Sequence, residues 1–144
     1  TLIIAEAGVN HNGSLDMAIQ LVKAAHECGA DYVKFQTFKV DKLLTATTEK
    51  AAYQKVTTDG HESQYEMIKR LELSEEHYLV LLDLCKELGI GFMSTPFDID
   101  SLHFLTQECE MDFIKIPSGE ITNALLLLEA ARTGKKIILS TGMS

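Results

Sequence analysis

Lys34 and Lys115 stand where a cation is hard to accommodate without a purpose. Lys34 lies in the run Asp31-Tyr32-Val33-Lys34-Phe35-Gln36-Thr37-Phe38, and Lys115 in Phe113-Ile114-Lys115-Ile116-Pro117-Ser118-Gly119. Both runs read as strands. Side chains alternate across a strand, so Val33 and Phe35 share one face while Lys34 and Gln36 share the other, and Ile114 and Ile116 oppose Lys115 in the same way. Strands buried in a parallel sheet are apolar on both faces, so a long cation inside such a run calls for a compensating charge. An anionic ligand supplies one. Other polar residues lie at or near the carboxyl ends of apolar runs: Glu6 on Leu2 to Ala5, Ser94 or Thr95 on the run from Ile90, Ser118 on Phe113 to Pro117, and Ser140 on the run from Ile137. Ammonium and hydroxyl donors hold phosphate or carboxylate oxygens, and a carboxylate among them can orient or deprotonate a reacting group.

The elements that must position these residues follow from periodicity and capping. After the strand at Leu2 to Ala5 and the loop Ala7-Gly8-Val9-Asn10-His11-Asn12-Gly13, Ser14 offers an N-cap. Leu15, Ala18, Ile19, Leu21, Val22 and Ala25 then recur at helical spacing as far as Gly29, which suits a left-handed C-cap. A second strand spans Tyr32 to Gln36. The stretch from Lys39 to Leu73 is polar and poorly periodic, apart from a short helix expected within Glu62 to Leu71. Insertions of this length at a strand's carboxyl end are usually lids or binding loops. Ser74 caps the next helix, with Glu75 and Glu76 in its first turn, Tyr78, Leu81, Leu82, Cys85 and Leu88 along its buried face, and Gly89 at its end. Beyond it the chain reads as a strand at Ile90 to Ser94, a helix from Asp98 to about Glu108, a strand at Phe113 to Pro117, a helix at Asn123 to Thr133 and a strand at Ile137 to Ser140.

Composition narrows the class. The 144 residues are 46% hydrophobic and 24% charged with a formal net charge of -8, enough apolar material for a core and the wrong sign for nucleic acid or an anionic membrane surface. The apolar run at Leu125 to Leu128, with its alanines, is far too short to span a bilayer, and a cytoplasmic protein is expected. Cys28, Cys85 and Cys109 have no metal-like spacing and read as reduced, mostly structural thiols.

Strands alternating with helices mean an α/β fold with a parallel sheet, either an open doubly wound sheet or part of a (β/α)8 TIM-type barrel. No strand leads into a G-x-G-x-x-G turn or a Walker lysine motif, and polar residues gather at strand carboxyl ends, where barrels keep their chemistry, so the barrel is expected. A whole barrel has eight strands and about 250 residues. Residues 1–144 are therefore expected to be its amino-terminal portion, about the first five strands.

The runs IIAEAGVNHNG, AAHECGADYVKFQTFK, ESQYEMIKRLELS, MSTPFD, IKIPSGEITN and ILSTGMS, in that order, resemble the amino-terminal half of the sialic acid synthase family, which includes N-acetylneuraminate, legionaminic and pseudaminic acid synthases. The resemblance runs from residue 2 to the last residue. It implies a barrel followed by a small antifreeze-like domain outside this chain, and the condensation of phosphoenolpyruvate with the open-chain aldehyde of an N-acylated hexosamine. That reaction releases phosphate and gives a nine-carbon 2-keto sugar acid. The resemblance also implies a divalent manganese or magnesium ion with ligands outside this chain, and a homodimer. By the matching positions, Lys34 and Lys115 are cationic ligands of phosphoenolpyruvate, with Thr95, Ser118 and Ser140 as hydroxyl partners and Gln36 beside them. Glu6 matches a carboxylate that contacts the amino sugar, and Glu120 one near the reacting carbons, chosen here as the group that orients or deprotonates the attacking water. Glu120, Lys115 and Glu6 form the expected catalytic set.

Plainer readings stand beside these. Either lysine could pair with Glu6 or Glu120 as a structural ion pair, Gln36 could only orient a lysine, and Ser118 and Ser140 could be turn or cap residues. His11 reads as a hydrogen-bonded loop anchor rather than a metal ligand, and Tyr53 and Tyr65 could line the sugar pocket or merely pack it. A strand lysine also suits a Schiff-base aldolase. A non-catalytic half-barrel that assembles with a second copy is the third reading. Exposed sheet edges and apolar helix faces predict that residues 1–144 alone self-associate. Light scattering is expected to give a mass above that of one chain, and a stable monomer would count against the expectation.

Overall fold

The computed structural model describes residues 1–43, 63–142 and 144. Tyr53 lies outside the described residues. Five parallel strands alternate with helices: β1 (Ile4–Gly8), α1 (Leu15–Glu27), β2 (Tyr32–Thr37), α2 (Val40–Leu43), α3 (Gln64–Lys69), α4 (Glu75–Leu88), β3 (Gly91–Pro96), α5 (Ile99–Gln107), β4 (Phe113–Ile116), a 3-10 turn at Ser118–Glu120, α6 (Ala124–Arg132) and β5 (Lys136–Leu139). The strands β1, β2 and β3 are hydrogen-bonded in that order, and β4 pairs with β5. β4 lies against β3 without a continuous ladder.

One face of this curved wall is covered by helices. Val33 and Phe35 of β2 and Phe92 of β3 are buried with Ala18, Val22 and Ala25 of α1 and Tyr78, Leu81, Leu82 and Cys85 of α4. A second cluster joins Leu102 of α5, Ile114 and Ile116 of β4, and Leu126 and Ala130 of α6. These are the apolar faces that helical and alternating spacing select. Burial pushes the Cys85 thiol up to about 12 and the Cys109 thiol up to about 11, so both stay protonated and inert. All three cysteines are free, and Cys28 alone is exposed.

Several boundaries differ from the sequence expectation. β1 starts and ends later, running through Glu6 to Gly8 with an irregular register between those two residues. Pairing decides this, because Ile3 is tied to the start of β2 by its own N–H on the Asp31 carboxylate (2.7 Å), leaving Leu2 and Ile3 half exposed. β3 likewise runs two residues further, to Pro96. The expected helix within 62–71 is α3, shorter than expected and held by a capping box in which the Ser63 hydroxyl and the Glu66 carboxylate each accept the other's backbone N–H. The single turn α2 carried no periodic signal. Exposed apolar residues include Leu125 and Leu128 on α6 and Ile137 and Leu139 on β5.

Two glycines explain how distant segments meet. Gly91 pairs with Tyr32, and a Cβ there would lie 2.4 Å from the Tyr32 ring. With no side chain in the way, that ring crosses β3, packs edge-on against Phe113 and donates its hydroxyl to Asp112 (2.8 Å), which docks the start of β4. Gly13 has φ +77, and a Cβ on it would lie 2.0 Å from the Arg70 carbonyl oxygen. The loop after β1 therefore presses directly on the end of α3.

Gly13→Ala is expected to destabilise the fold by about 2–4 kcal/mol, combining left-handed backbone strain with a clash against main chain. Gly29 has a similar φ of +75 but open space around it, so Gly29→Ala is expected to cost only about 1 kcal/mol. Urea denaturation midpoints of the two variants measure the difference.

Candidate active site

The face of the wall opposite the helices carries the polar residues. β1, β2 and β3 run in register so that Glu6 pairs with Lys34 and Met93, and Gln36 with Thr95. With side chains alternating, Glu6, Lys34, Gln36, Met93 and Thr95 share this inner face. Lys34 is only 8% exposed, and its ammonium donates to the Thr95 hydroxyl (3.1 Å) and pairs with the Glu6 carboxylate (2.7 Å). Glu6 keeps about half of its side-chain surface open, so the buried end of the pair is the cation and the accessible end the carboxylate.

Lys115 occupies the corresponding face of β4. Its ammonium donates to the Ser140 hydroxyl (2.6 Å) and to the Ile116 carbonyl (2.8 Å), while the Ser140 N–H bonds back to Ile116 O (3.1 Å). Burial holds the Lys115 amine below its ordinary range; the positive charge of Lys34 lowers it further, and Glu6 raises it in part. The two lysines therefore sense one another across the interior. Among the described residues, the pair holds two ammonium groups against one carboxylate in ion-pair contact.

Of the eight residues singled out from sequence, the structure thus gathers Glu6, Lys34, Thr95, Lys115 and Ser140 around the two amines. The plainer reading of Lys34 is met in one respect, since it does pair with Glu6. Gln36 stays close: a Cβ on Gly8 would sit 3.1 Å from Glu6 Oε1 and 3.6 Å from Gln36 Nε2, so carboxylate and amide flank the same glycine. Ser118 opens the 3-10 turn directly after β4. Glu120 ends that turn, and its carboxylate accepts from Asn123 Nδ2 (2.7 Å) instead of contacting either lysine. The choice left open between Ser94 and Thr95 falls to Thr95, because alternation turns Ser94 to the helix side, where it bonds the Thr37 hydroxyl (2.7 Å).

Sequence reasoning missed three supports. Tyr78, assigned only to the core, donates its hydroxyl to the Gln36 carbonyl (2.7 Å) and fixes the backbone beside the site. Asn123, expected only where a helix begins, caps α6 and also holds Glu120. Gly8, with φ +54, leaves room for the Glu6 and Gln36 side chains; its place between Glu6 and the Asn-His-Asn-Gly loop was the available signal. His11 is fully buried and accepts the Gly13 N–H at Nδ1 (3.0 Å), as a loop anchor does, and burial lowers its pKa. Tyr65 donates to Asp41, tying α3 to α2. Among the described residues no three His, Cys, Asp or Glu side chains converge to hold a metal ion. No helix among the described residues is long and apolar enough to cross a membrane.

A parallel βα wall that gathers amines, hydroxyls and a carboxylate at strand carboxyl ends defines a barrel-type enzyme domain. The chain belongs to the NeuB family, whose model matches residues 21–144. It is 55% identical over 141 residues to the N,N'-diacetyllegionaminic acid synthase of Legionella pneumophila and 49% identical over 144 residues to that of Campylobacter jejuni, covering 98% and 100% of this chain. The crystal structure of N-acetylneuraminic acid synthetase from Leptospira borgpetersenii, in complex with citrate, superposes with a TM-score of 0.81 at 29% identity over the whole of this chain. The chain spans only 39% and 43% of those two relatives and 46% of that solved chain. Its five strands are accordingly the amino-terminal part of a (β/α)8 barrel domain of the sialic acid synthase type.

Because Lys115 carries a lowered pKa in the fold, the native state binds fewer protons than the unfolded state between that value and 10.5, and stability contributed at this position rises with pH across the window. Lys115→Met is expected to gain stability relative to the wild type near neutral pH and to lose that advantage as pH approaches 10.5. Urea unfolding of both proteins across this range checks the sign.

Proposed function

We propose that the full-length protein condenses phosphoenolpyruvate with the open-chain aldehyde of an N-acylated hexosamine, giving a nine-carbon 2-keto sugar acid and phosphate. The observation that carries this reading is the charge count on the inner face, where two buried or half-buried ammonium groups meet one carboxylate. An anionic substrate restores the balance. The names of the relatives, synthases of legionaminic and sialic-type acids, support the same reaction class.

In this reading Lys34 and Lys115 hold the carboxylate and phosphate of phosphoenolpyruvate, with the hydroxyls of Thr95, Ser118 and Ser140 as further donors. Charge-assisted hydrogen bonds from donors already fixed in a buried site stabilise developing charge without reorganisation. Glu6, at the accessible rim, positions a hydroxyl or the acylamino N–H of the sugar, and Gln36 assists it. The enol carbon attacks the aldehyde carbon, forming the C–C bond as the aldehyde C=O π bond opens and its oxygen takes up a proton to become a hydroxyl, and leaving a cation at the carbon that carries the phosphate ester. Glu120 orients water and takes its proton as oxygen adds to that carbon. The tetrahedral adduct expels phosphate by C–O cleavage and leaves the ketone. The divalent manganese or magnesium ion belongs to the full-length protein, on residues outside this chain, and the steps carried by this chain's side chains do not use it. The soluble, dimeric and cytoplasmic character expected of such an enzyme is part of the same proposal.

One feature favours a second reading. An amine with a lowered pKa beside another cation is the usual arrangement for a Schiff-base lysine, and Lys115 has it.

With phosphoenolpyruvate, manganese and a panel of N-acylated hexosamines, the full-length protein is expected to release phosphate only when a sugar acceptor is present. Lys115→Ala is expected to lower that release about 100-fold or more. A pyruvate or sugar adduct on Lys115 trapped by borohydride, with no sugar-dependent phosphate, would replace this reading by the aldolase one.

A further inference from the structure

We propose that the apolar cavity beside Gln36 is an acceptor-specificity pocket that receives a methyl-bearing substituent carried by a deoxygenated, doubly acylated amino sugar and lacking from N-acetylmannosamine: its second acyl methyl or the methyl of its deoxy carbon. The proposal rests on the synthase reading above and adds the part of the acceptor that the protein measures.

The cavity has a volume of about 350 Å³ and is walled by the strand ends, by Leu43 of α2, and by α3 with the turn after it. Val9, Gln36 and Phe97 come from the carboxyl ends of β1, β2 and β3, the strands that carry Glu6, Lys34 and Thr95. Met67, Ile68 and Leu71 come from α3 and the turn after it. Gln36 joins the cavity to the charged cluster, since it pairs in register with Thr95 and its amide, like the Glu6 carboxylate, lies close to the Cβ position of Gly8. A sugar held by Glu6 therefore has one side against this cavity.

The lining chooses the chemistry. Among the described residues its walls are apolar apart from the Gln36 amide, so a hydroxyl placed against them would exchange water for hydrocarbon, whereas a methyl group gains by burial. An amide next to an apolar hollow suits an acylamino group, whose N–H or C=O meets Gln36 and whose methyl enters the hollow. By contrast, a cavity of about 290 Å³ beside Lys39 is bordered by Glu72, Glu75 and Glu76, on the helix side near Tyr78 and Phe104. It has no such link to the amines.

The wall formed by α3 is held more firmly than its length would allow. A helix of six residues does not persist in water unaided. The Ser63–Glu66 capping box closes its start, while Lys69 pairs with Glu72, whose carboxylate also accepts the Val40 N–H (3.0 Å). Gly13 presses the loop after β1 against the Arg70 carbonyl. None of the residues of α3 is fully buried. These anchors position three apolar side chains over an open hollow instead of filling a core.

The test uses the full-length protein with Met67→Gln and, separately, Ile68→Gln, both at half-buried helical positions where the fold should be retained, checked by thermal melting. Phosphate release is measured with phosphoenolpyruvate, manganese and two acceptors, N-acetylmannosamine and a diacetamido deoxy-hexosamine. The wild type is expected to prefer the deoxygenated, doubly acylated sugar. Each variant is expected to raise KM for that sugar about tenfold, the scale of one misplaced methyl group, leaving kcat and the KM for phosphoenolpyruvate unchanged. It should also leave activity on N-acetylmannosamine within a factor of two or so of the wild type. Equal shifts for both acceptors, or an unchanged acceptor ratio with phosphate release intact, would overturn the pocket while sparing the synthase reading. No sugar-dependent release from the wild type with either acceptor would overturn both.

Discussion

A lysine ammonium with little access to water must be held by groups that prefer its charged form, and the inner face of this wall is organised around that requirement. Lys34 is held by a carboxylate on one neighbouring strand and a hydroxyl on the other, at positions set by the parallel register. Among the described residues the Lys115 ammonium bonds neutral oxygens, of Ser140 and Ile116, and burial together with the charge of Lys34 makes its amine less basic. The two environments differ in kind. One lysine is compensated and the other is not, which leaves the site with a net demand for negative charge even though the whole chain carries -8. Local arrangement, not overall charge, sets what the interior will bind.

The same demand explains why so many unrelated contacts meet near the strand ends. Helices α1, α4 and α5 bury the opposite face of the sheet, so every second residue of β2 and β3 is committed to packing and the remainder are free to face inward. Tyr78 belongs to that packing yet spends its hydroxyl on the Gln36 carbonyl, linking the helix layer to the site. The loop after β1 is anchored twice, by His11 on Gly13 and by Gly13 against Arg70. Rigid support behind the first contacts is what a preorganised electrostatic site requires.

The long excursion between β2 and β3 takes part in this through its described segments. α2 and α3 are joined by Tyr65 with Asp41 and by the ion pair of Lys69 with Asp41 (3.8 Å). Each of these contacts is exposed and individually weak. Together with the capping box they place an apolar helix face over the carboxyl ends of the strands, which gives the inner face a polar floor and an apolar side wall.

Much of this was legible from residue order. Alternation in Val33 to Gln36 and in Ile114 to Ile116 separated packing residues from inward ones, and it separated them correctly, because period-2 geometry is a property of the strand alone. Helix caps at Ser14 and Ser74 were likewise local and lie where their side chains accept a backbone N–H, and Asp98, read as the start of a helix, caps it in the same way. What residue order left open depended on partners distant in sequence. The extent of β1 and β3, the choice of Thr95 over Ser94, the diversion of Glu120 to Asn123 and the meeting of Gly13 with Arg70 are all decided by register and close packing between segments. Sequence by itself determined the βα alternation and which side chains face inward, since those follow from backbone period and capping. Only the tertiary structure decided which inward groups compensate one another, because electrostatic pairing depends on distances that strand register and helix packing set.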